Sequence, residues 1–378
     1  MKKKYSGKEI IRAGEDFLRD DIFSNPDIFN NAMDVLSYWR FQHEVPLEKA
    51  LSILERESTA KDKSVIFAKR LKRYISIVTK LRRFPKMKLK NMQDIGGCRA
   101  IVSSTKKLYQ IVRELRKLPE FRNSQGKIRY KDYIENPKED GYRGYHLIGS
   151  FKDQNNESKL IELQLRTTIQ HDWATALEIV DLFTGQALKS NHGKEEWKVF
   201  FQLVSKHFAL MEEVHLFSKQ EPQKQIEEYD KKVSQKKKYE LERDYIQEHE
   251  RFLKVVKNLE AFAHTLKIAN EHITEKQVEG YVLLRVDTLN AQVTSTLFSQ
   301  AENNEAEKMY LEYEKEAADS KDLVVALVST TAVGGIKEAY PNYFADSTDF
   351  LRYLMIILKS PIRRKPNFFE RILRGSGL

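Results

Sequence analysis

Three groups of polar residues in this 378-residue chain have types and spacings suited to phosphate chemistry. The first is Arg70-x-Lys72-x-x-x-Ser76-x-x-x-Lys80. Read as a helix, the spacing of four places Lys72, Ser76 and Lys80 on one face, with Arg70 near its edge. Cations and a hydroxyl side by side suit a polyphosphate, because each donor takes a different phosphoryl oxygen. A solvated basic helix has the same pattern. The second group is Asp94-Ile-Gly-Gly-Cys-Arg99. An aspartate at a strand edge, followed by glycines that permit close backbone approach, is a common way to hold Mg²⁺. An ordinary turn also reads Asp-x-Gly.

The third group runs from Asp132-Tyr133 through Lys138 and Gly141-Tyr142-Arg143-Gly144-Tyr145-His146 to Glu162-x-Gln164-x-Arg166-Thr167 and Gln170-His171-x-Trp173-Ala174. Tyr142, flanked by glycine, offers a ring for base stacking, worth about 1–3 kcal/mol per base. Glu162 is placed to take a proton from an attacking hydroxyl. No third soft ligand lies near His146 and His171, so hydrogen bonding to phosphate or to the fold explains them better than a metal does.

Positioning these groups requires a mixed sheet with helices around it. The first 60 residues read as helices, with Asn25-Pro26-Asp27 as a helix start and another helix from Val45 through Leu54. Residues 65–83 are expected to form a basic helix. Cys98 to Ser104, Tyr145 to Phe151 and Leu160 to Arg166 read as strands; in the last, Glu162, Gln164 and Arg166 alternate with apolar residues and share one face. Ser104 to Leu118 and Thr167 to Val180 read as helices. Strands interleaved with helices predict an α/β (α+β) domain. From 221 to 270 the chain is laced with charge and reads as one or two extended helices. Beyond Gly280, strands at Tyr281 to Val286, Val293 to Phe298 and Leu323 to Thr330, with a helix from Glu302 to Ala318, form a separate small ββαβ-like unit. Ser347 caps a closing helix, Phe350 to Leu358.

In order and spacing the three groups resemble the synthetase domain of RelA/SpoT-type alarmone synthetases over about residues 20–215. The motifs Arg-x-Lys-x-x-x-Ser-x-x-x-Lys, Asp-Ile-x-Gly-x-Arg, Gly-Tyr-x-x-x-His, Glu-x-Gln-x-Arg-Thr and Gln-His-x-Trp-Ala are all present. The resemblance implies a mixed-sheet, nucleotidyltransferase-like fold and a pyrophosphokinase that passes the β,γ-pyrophosphate of ATP to a ribose 3′-hydroxyl. It implies that Asp94 and Glu162 hold Mg²⁺, with Glu162 also activating the hydroxyl. Arg70 would pack on adenine, and Lys72, Ser76, Lys80 and Arg99 would hold the triphosphate. Lys138, Tyr142 and His146 would line the acceptor pocket, with Gln164 and Arg166 beside them.

The C-terminal part resembles that of CapRel-type fused toxin–antitoxin proteins, a toxic branch of the small alarmone synthetases. It is expected as a pseudo-zinc-finger domain: no cysteine follows residue 216, and the histidines there are His249, His264 and His272. This divides the chain into a synthetase (toxin) domain 1–215, a charged helical linker 216–270, an antitoxin or sensor domain 271–345, and an anchoring helix with a basic tail 346–378. Tyr340-Pro341-Asn342-Tyr343 matches the Tyr-x-x-Tyr element by which that branch blocks its ATP site; two tyrosines at this spacing also occur in ordinary packing. The implied acceptor is the 3′-hydroxyl of the terminal adenosine of tRNA, and the implied activator a phage protein, typically the major capsid protein. The same active site also suits (p)ppGpp or (pp)pApp synthesis from free nucleotides.

Composition fits this picture. With 65 Lys+Arg against 55 Asp+Glu the net charge is +10, a balance that favours polyanionic partners. Arg113, Arg116 and Lys117, and Lys231 to Lys238, are the expected contacts to an RNA backbone. One cysteine, Cys98, excludes a disulfide framework. With no long apolar run and no apolar stretch after the basic start, the expectation is a cytoplasmic protein without a membrane partner, and a monomer is compatible with it.

Overall fold

The computed structural model describes residues 4–184, 194–257, 259–260, 280–287, 292–302, 323–329 and 348–361, with separate positions between 305 and 316. Tyr340, Tyr343, His264, His272, most of the basic tail and much of the expected 302–318 helix lie outside the described residues.

Three helices come first: α1 (Gly7–Asp16), α2 (Pro26–Phe41) and α3 (Glu44–Thr59). Ser6 and Glu9 close a reciprocal capping box on α1. Pro26 sits in the first turn of α2, where its missing N–H costs nothing. A five-stranded sheet follows, made of β1 (Ile66–Leu71), β2 (Gly96–Val102), β3 (Arg129–Asp132), β4 (Tyr145–Lys152) and β5 (Ser158–Thr167), in the order β1-β2-β5-β4-β3. β2 and β5 run parallel, and the other pairings are antiparallel. Between the strands lie α4 (Tyr74–Arg83) and α5 (Thr105–Leu115), and α6 (Thr168–Thr184) follows β5 directly.

The strand alternation divides this sheet into two unlike faces. Cys98, Ala100 and Val102, Ile161, Leu163 and Leu165, and Tyr145, Leu147 and Phe151 are buried against α3 and α5. The intervening residues face the other way. Arg99, Gln164 and His146 form one row across β2, β5 and β4, and Arg70, Gly97 and Glu162 form the next. A separate core joins α1, α2 and α4 through Phe17, Phe29, Leu36, Tyr74, Ile77 and Leu81.

The 65–83 segment corrects the expected basic helix. Its first half is the edge strand β1, in register with β2 from Ile66 opposite Ile101 to Leu71 opposite Gly96. Arg73 is extended, and α4 starts only at Tyr74. Pairing with β2 outweighs the helical spacing here, as tertiary contacts often override local propensity. Arg70 therefore lies on a strand and Lys72 in the connection, and only Ser76 and Lys80 share the helix. Edge strand β3 had no counterpart in the sequence pattern, because Arg-Tyr-Lys-Asp carries no apolar alternation.

Four further helices share a core with α6: α7 (Glu195–Glu212) and α10 (Thr348–Lys359), which pack on it, and α8 (Pro222–Val233) and α9 (Lys237–Leu253), which pack on those two. Phe200, Phe201, Phe208, Tyr229, Val233, Ile246, Phe350 and Tyr353 are buried in their common core. Gln247 on α9 donates to the carbonyls of Ile357 (2.8 Å) and Ser360 (2.9 Å), satisfying the open C-terminus of α10. A second, antiparallel sheet contains β6 (Gly280–Asp287), β7 (Gln292–Ser299) and β8 (Leu323–Ser329), in the order β7-β6-β8. No helix among the described residues is long and apolar enough to cross a membrane.

Candidate active site

On the polar face of the five-stranded sheet the side chains close a ring of hydrogen bonds. Gln164 Nε2 donates to Glu162 Oε2 at 2.6 Å, and His146 Nδ1 lies 3.0 Å from Glu162 Oε1. His146 Nε2 meets the Tyr142 hydroxyl at 2.6 Å. Arg166 donates from Nε to the Tyr142 oxygen (3.1 Å) and from Nη2 to Gln164 Oε1 (3.5 Å), completing the circuit. Arg99 joins it from β2, with Nε and Nη2 both 3.3 Å from Gln164 Oε1.

This environment sets the charge states. Burial pushes the Glu162 carboxyl up, but His146, the hydrogen bond from Gln164 and the Lys80 charge outweigh it and hold it well below the usual carboxylate range. Burial disfavours the His146 cation, yet Tyr142 and Glu162 raise its pKa above the ordinary value. Against burial, Arg166 and His146 bring the Tyr142 hydroxyl down to about 7. Glu162 is thus ionised at neutral pH, and two partners orient it.

Tyr142 is held from all sides. Lys138 Nζ lies 4.6 Å and the Arg166 guanidinium 4.8 Å from its ring centroid, and Tyr133 packs edge-on. The loop that presents it depends on glycine. Gly141 has φ +91°, and a Cβ there would come within 3.0 Å of the Gln202 backbone. A Cβ on Gly144 would reach 3.0 Å from the Tyr142 hydroxyl and 3.2 Å from Arg166 Cγ. The ring is 8% exposed, so a stacking base requires the loop to move.

The second cluster centres on Asp94. Lys72 from the β1–α4 connection and Lys80 from α4 bind its two carboxylate oxygens at 3.0 and 2.8 Å. Burial lowers the Lys72 pKa, with Asp94 opposing the shift. Burial, with Arg166 and Arg70 nearby, pushes the Arg99 guanidinium down to about 9. Arg70, Lys72, Lys80, Arg99, Lys138 and Arg166 thus surround two carboxylates, Asp94 and Glu162, an excess of positive charge that suits a polyphosphate. Ser76 is half-buried on α4 beside them.

Asp94 and Glu162 also fit Mg²⁺. Both offer hard oxygen donors, and Lys80 already touches Asp94 while its charge acts on Glu162. Among the described residues no three His, Cys, Asp or Glu side chains are grouped to hold a metal. An ion here would complete its shell with phosphate and water oxygens, as Mg²⁺ commonly does.

Two participants were not singled out from the sequence. Glu212, on α7, receives hydrogen bonds from Arg143, Thr167 and Gln170 and so holds three motif residues in place. It lies 42 residues beyond Gln170, and nothing local marks it. Tyr133 was quoted only as part of a motif, but its ring packs edge-on against both Tyr142 and His146. His171 lies toward the same cations: burial, Arg99 and Arg166 keep it neutral, and its Nδ1 is buried with no partner among the described residues.

Residues 69–179 match the family described as a region found in RelA / SpoT proteins. Two curated relatives from Bacillus subtilis (strain 168) align with the chain. The GTP pyrophosphokinase YjbM is 35% identical over 111 residues, which is 28% of this chain and 51% of that protein. The GTP pyrophosphokinase YwaC is 33% identical over 114 residues, 28% of this chain and 52% of that protein. The chain spans about half the length of the curated relatives it matches. Among solved structures, small alarmone synthetase 1 of Bacillus subtilis bound to its product pppGpp is 24% identical, covering 47% of this chain and 93% of that one, with a TM-score of 0.40. Small alarmone synthetase 2 of the same organism is 26% identical over 49% of this chain and 95% of that one, with a TM-score of 0.39.

Proposed function

We propose that this chain, whose residues 69–179 match the RelA/SpoT family, transfers pyrophosphate from ATP to the 3′-hydroxyl of the terminal adenosine at the CCA end of tRNA. The observation that carries the transfer is an ionised Glu162 on the same sheet face as Arg99 and close enough to Lys80 to feel its charge. In this scheme Arg70 packs on adenine, and Lys72, Ser76, Lys80 and Arg99 hold the triphosphate. Glu162 takes the proton of the 3′-hydroxyl as its oxygen bonds to the β-phosphorus. The bond from that phosphorus to the α,β-bridging oxygen breaks, and AMP leaves. His146 and Gln164 release Glu162 as the hydroxyl arrives, which raises its basicity at the moment of transfer. Mg²⁺, when held by Asp94 and Glu162, neutralises charge on the phosphoryl oxygens. Positioning and charge neutralisation supply most of the catalysis in such transfers.

For the acceptor, support comes from the sheet edge beside the pocket. Lys131 on β3 pairs in register with His146, and the adjoining Tyr130 is 45% exposed, with the Arg116 guanidinium 4.7 Å from its ring centroid. Tyr130 pairs with Leu147 and so lies on the sheet face opposite His146, with Arg113, Arg116 and Lys117 at the end of α5; an acceptor that reached them from the pocket would pass over the β3 edge, which a polynucleotide can do. The relatives' description as GTP pyrophosphokinases favours a second reading, in which free GDP or GTP is the acceptor. Regulation by Tyr340 and Tyr343, and release by a phage major capsid protein, complete the proposal on the strength of the sequence resemblance.

The test is to incubate the full chain with γ-³²P-ATP and bulk tRNA, with and without a candidate capsid protein. Label on tRNA, increased by the capsid protein, is expected. Label on GDP or GTP with none on tRNA would overturn the acceptor and retain the transfer.

A further inference from the structure

A cavity of about 550 Å³ lies apart from the cluster around Glu162, walled by α1, α2, residues 90–93 and the starts of β3 and β5. None of the residues assigned to the transfer lines it. Lys90, Arg129, Lys159 and Glu157 are its charged lining, and since Lys159 is committed to carboxylates, Lys90 and Arg129 are the cations left to a ligand. The Glu157 charge is already taken up, since Lys159 Nζ lies 2.6 Å from Glu157 and 3.1 Å from Asp153. Lys159 is 5% exposed and sits 5.2 Å from the centre of the Trp39 ring. Lys90 and Arg129 have no acidic partner among the described residues. The Trp39 indole N–H in the wall is buried without an acceptor among the described residues, a deficit that typically costs about 1–3 kcal/mol. Burial brings His43, also in the wall, down to about 4, so it is neutral and adds no positive charge.

Two cations without acidic partners and a buried indole N–H without an acceptor, among the described residues, suit an anion, and the volume suits a nucleotide-sized one. We propose that this cavity is a second site for a small phosphorylated anion, separate from the catalytic cluster. The proposal does not depend on which hydroxyl accepts pyrophosphate.

Calorimetric titration of the full chain tests it. In a Lys72→Ala/Lys80→Ala protein, which lacks two of the cations assigned to the catalytic triphosphate, inorganic triphosphate is expected to bind with one equivalent. Adding Lys90→Ala and Arg129→Ala is expected to weaken that binding by at least about tenfold. Both added positions are exposed, so the fold should tolerate them. ADP in the same protein separates the sources: tighter ADP assigns a nucleotide, and tighter triphosphate an inorganic anion. No binding in the Lys72→Ala/Lys80→Ala protein, or binding indifferent to Lys90 and Arg129, would overturn the proposal.

Discussion

The two faces of the five-stranded sheet are built from the same strands and obey opposite rules. Leu163 and Leu165 are fully buried among apolar neighbours. Glu162, Gln164 and Arg166, one residue away in each case, are largely buried among polar ones. The apolar face gains free energy from area removed from water. The polar face pays for desolvation by hydrogen bonding, and the bonds that satisfy Glu162 also orient it. The core face should therefore govern stability and the polar face turnover, with little exchange between them.

The sharpest way to break that comparison is Glu162→Gln. Transfer should fall by about 10²–10⁴-fold, while the loss of stability from removing the charge that His146 and Lys80 favour should stay smaller than that of a core truncation; a loss as large as that of a core truncation would show that the polar face also holds the fold. Leu163→Ala is the counterpart. It should cost about 2–5 kcal/mol in urea denaturation, while the protein that remains folded keeps its turnover. Gly141→Ala crosses the divide, because it strains a left-handed residue and displaces the Tyr142 loop. It should cost roughly 1 kcal/mol or more and also raise KM for the acceptor; unchanged kinetics would detach the loop from acceptor binding.

The smallest expected effect is a pH dependence. His146 is raised above its ordinary value, so its contribution to stability is complete below about 6.5 and is lost as pH rises through the folded value. Tyr142 is lowered to about 7, so its contribution is complete only above about 10 and is lost as pH falls through 7. The two slopes oppose each other just above neutral pH, and beyond the folded value of His146 the rising Tyr142 slope alone remains, ending at about 10. Urea midpoints should therefore change least just above neutral pH and rise beyond it; a steady fall toward pH 10 would contradict the lowered Tyr142. Glu162 adds nothing there, since its stabilisation is lost only as pH falls below the ordinary carboxylate range.

Much of this was legible in the chain. Alternation marked β5 and its polar face, since a period of two leaves little choice of register once one side must be buried. Pro26 marked the start of α2, and the spacing of Arg70, Lys72, Ser76 and Lys80 indicated phosphate chemistry. The basic 65–83 segment was not legible, because its side chains fit a helix and only pairing with β2 makes the first half a strand. Nor was Glu212, whose role depends on α7 packing back against α6.

The sequence by itself determined which residue types carry the chemistry and which strand faces are apolar, because side-chain character and backbone period are local properties. Only the tertiary structure decided that Arg70 stands on an edge strand and that Lys72 and Lys80 share Asp94. It also decided that Tyr142, His146, Glu162, Gln164 and Arg166 close into a ring. The ring contacts join residues up to 24 positions apart, and a hydrogen bond over such a separation forms only after packing has brought its ends together.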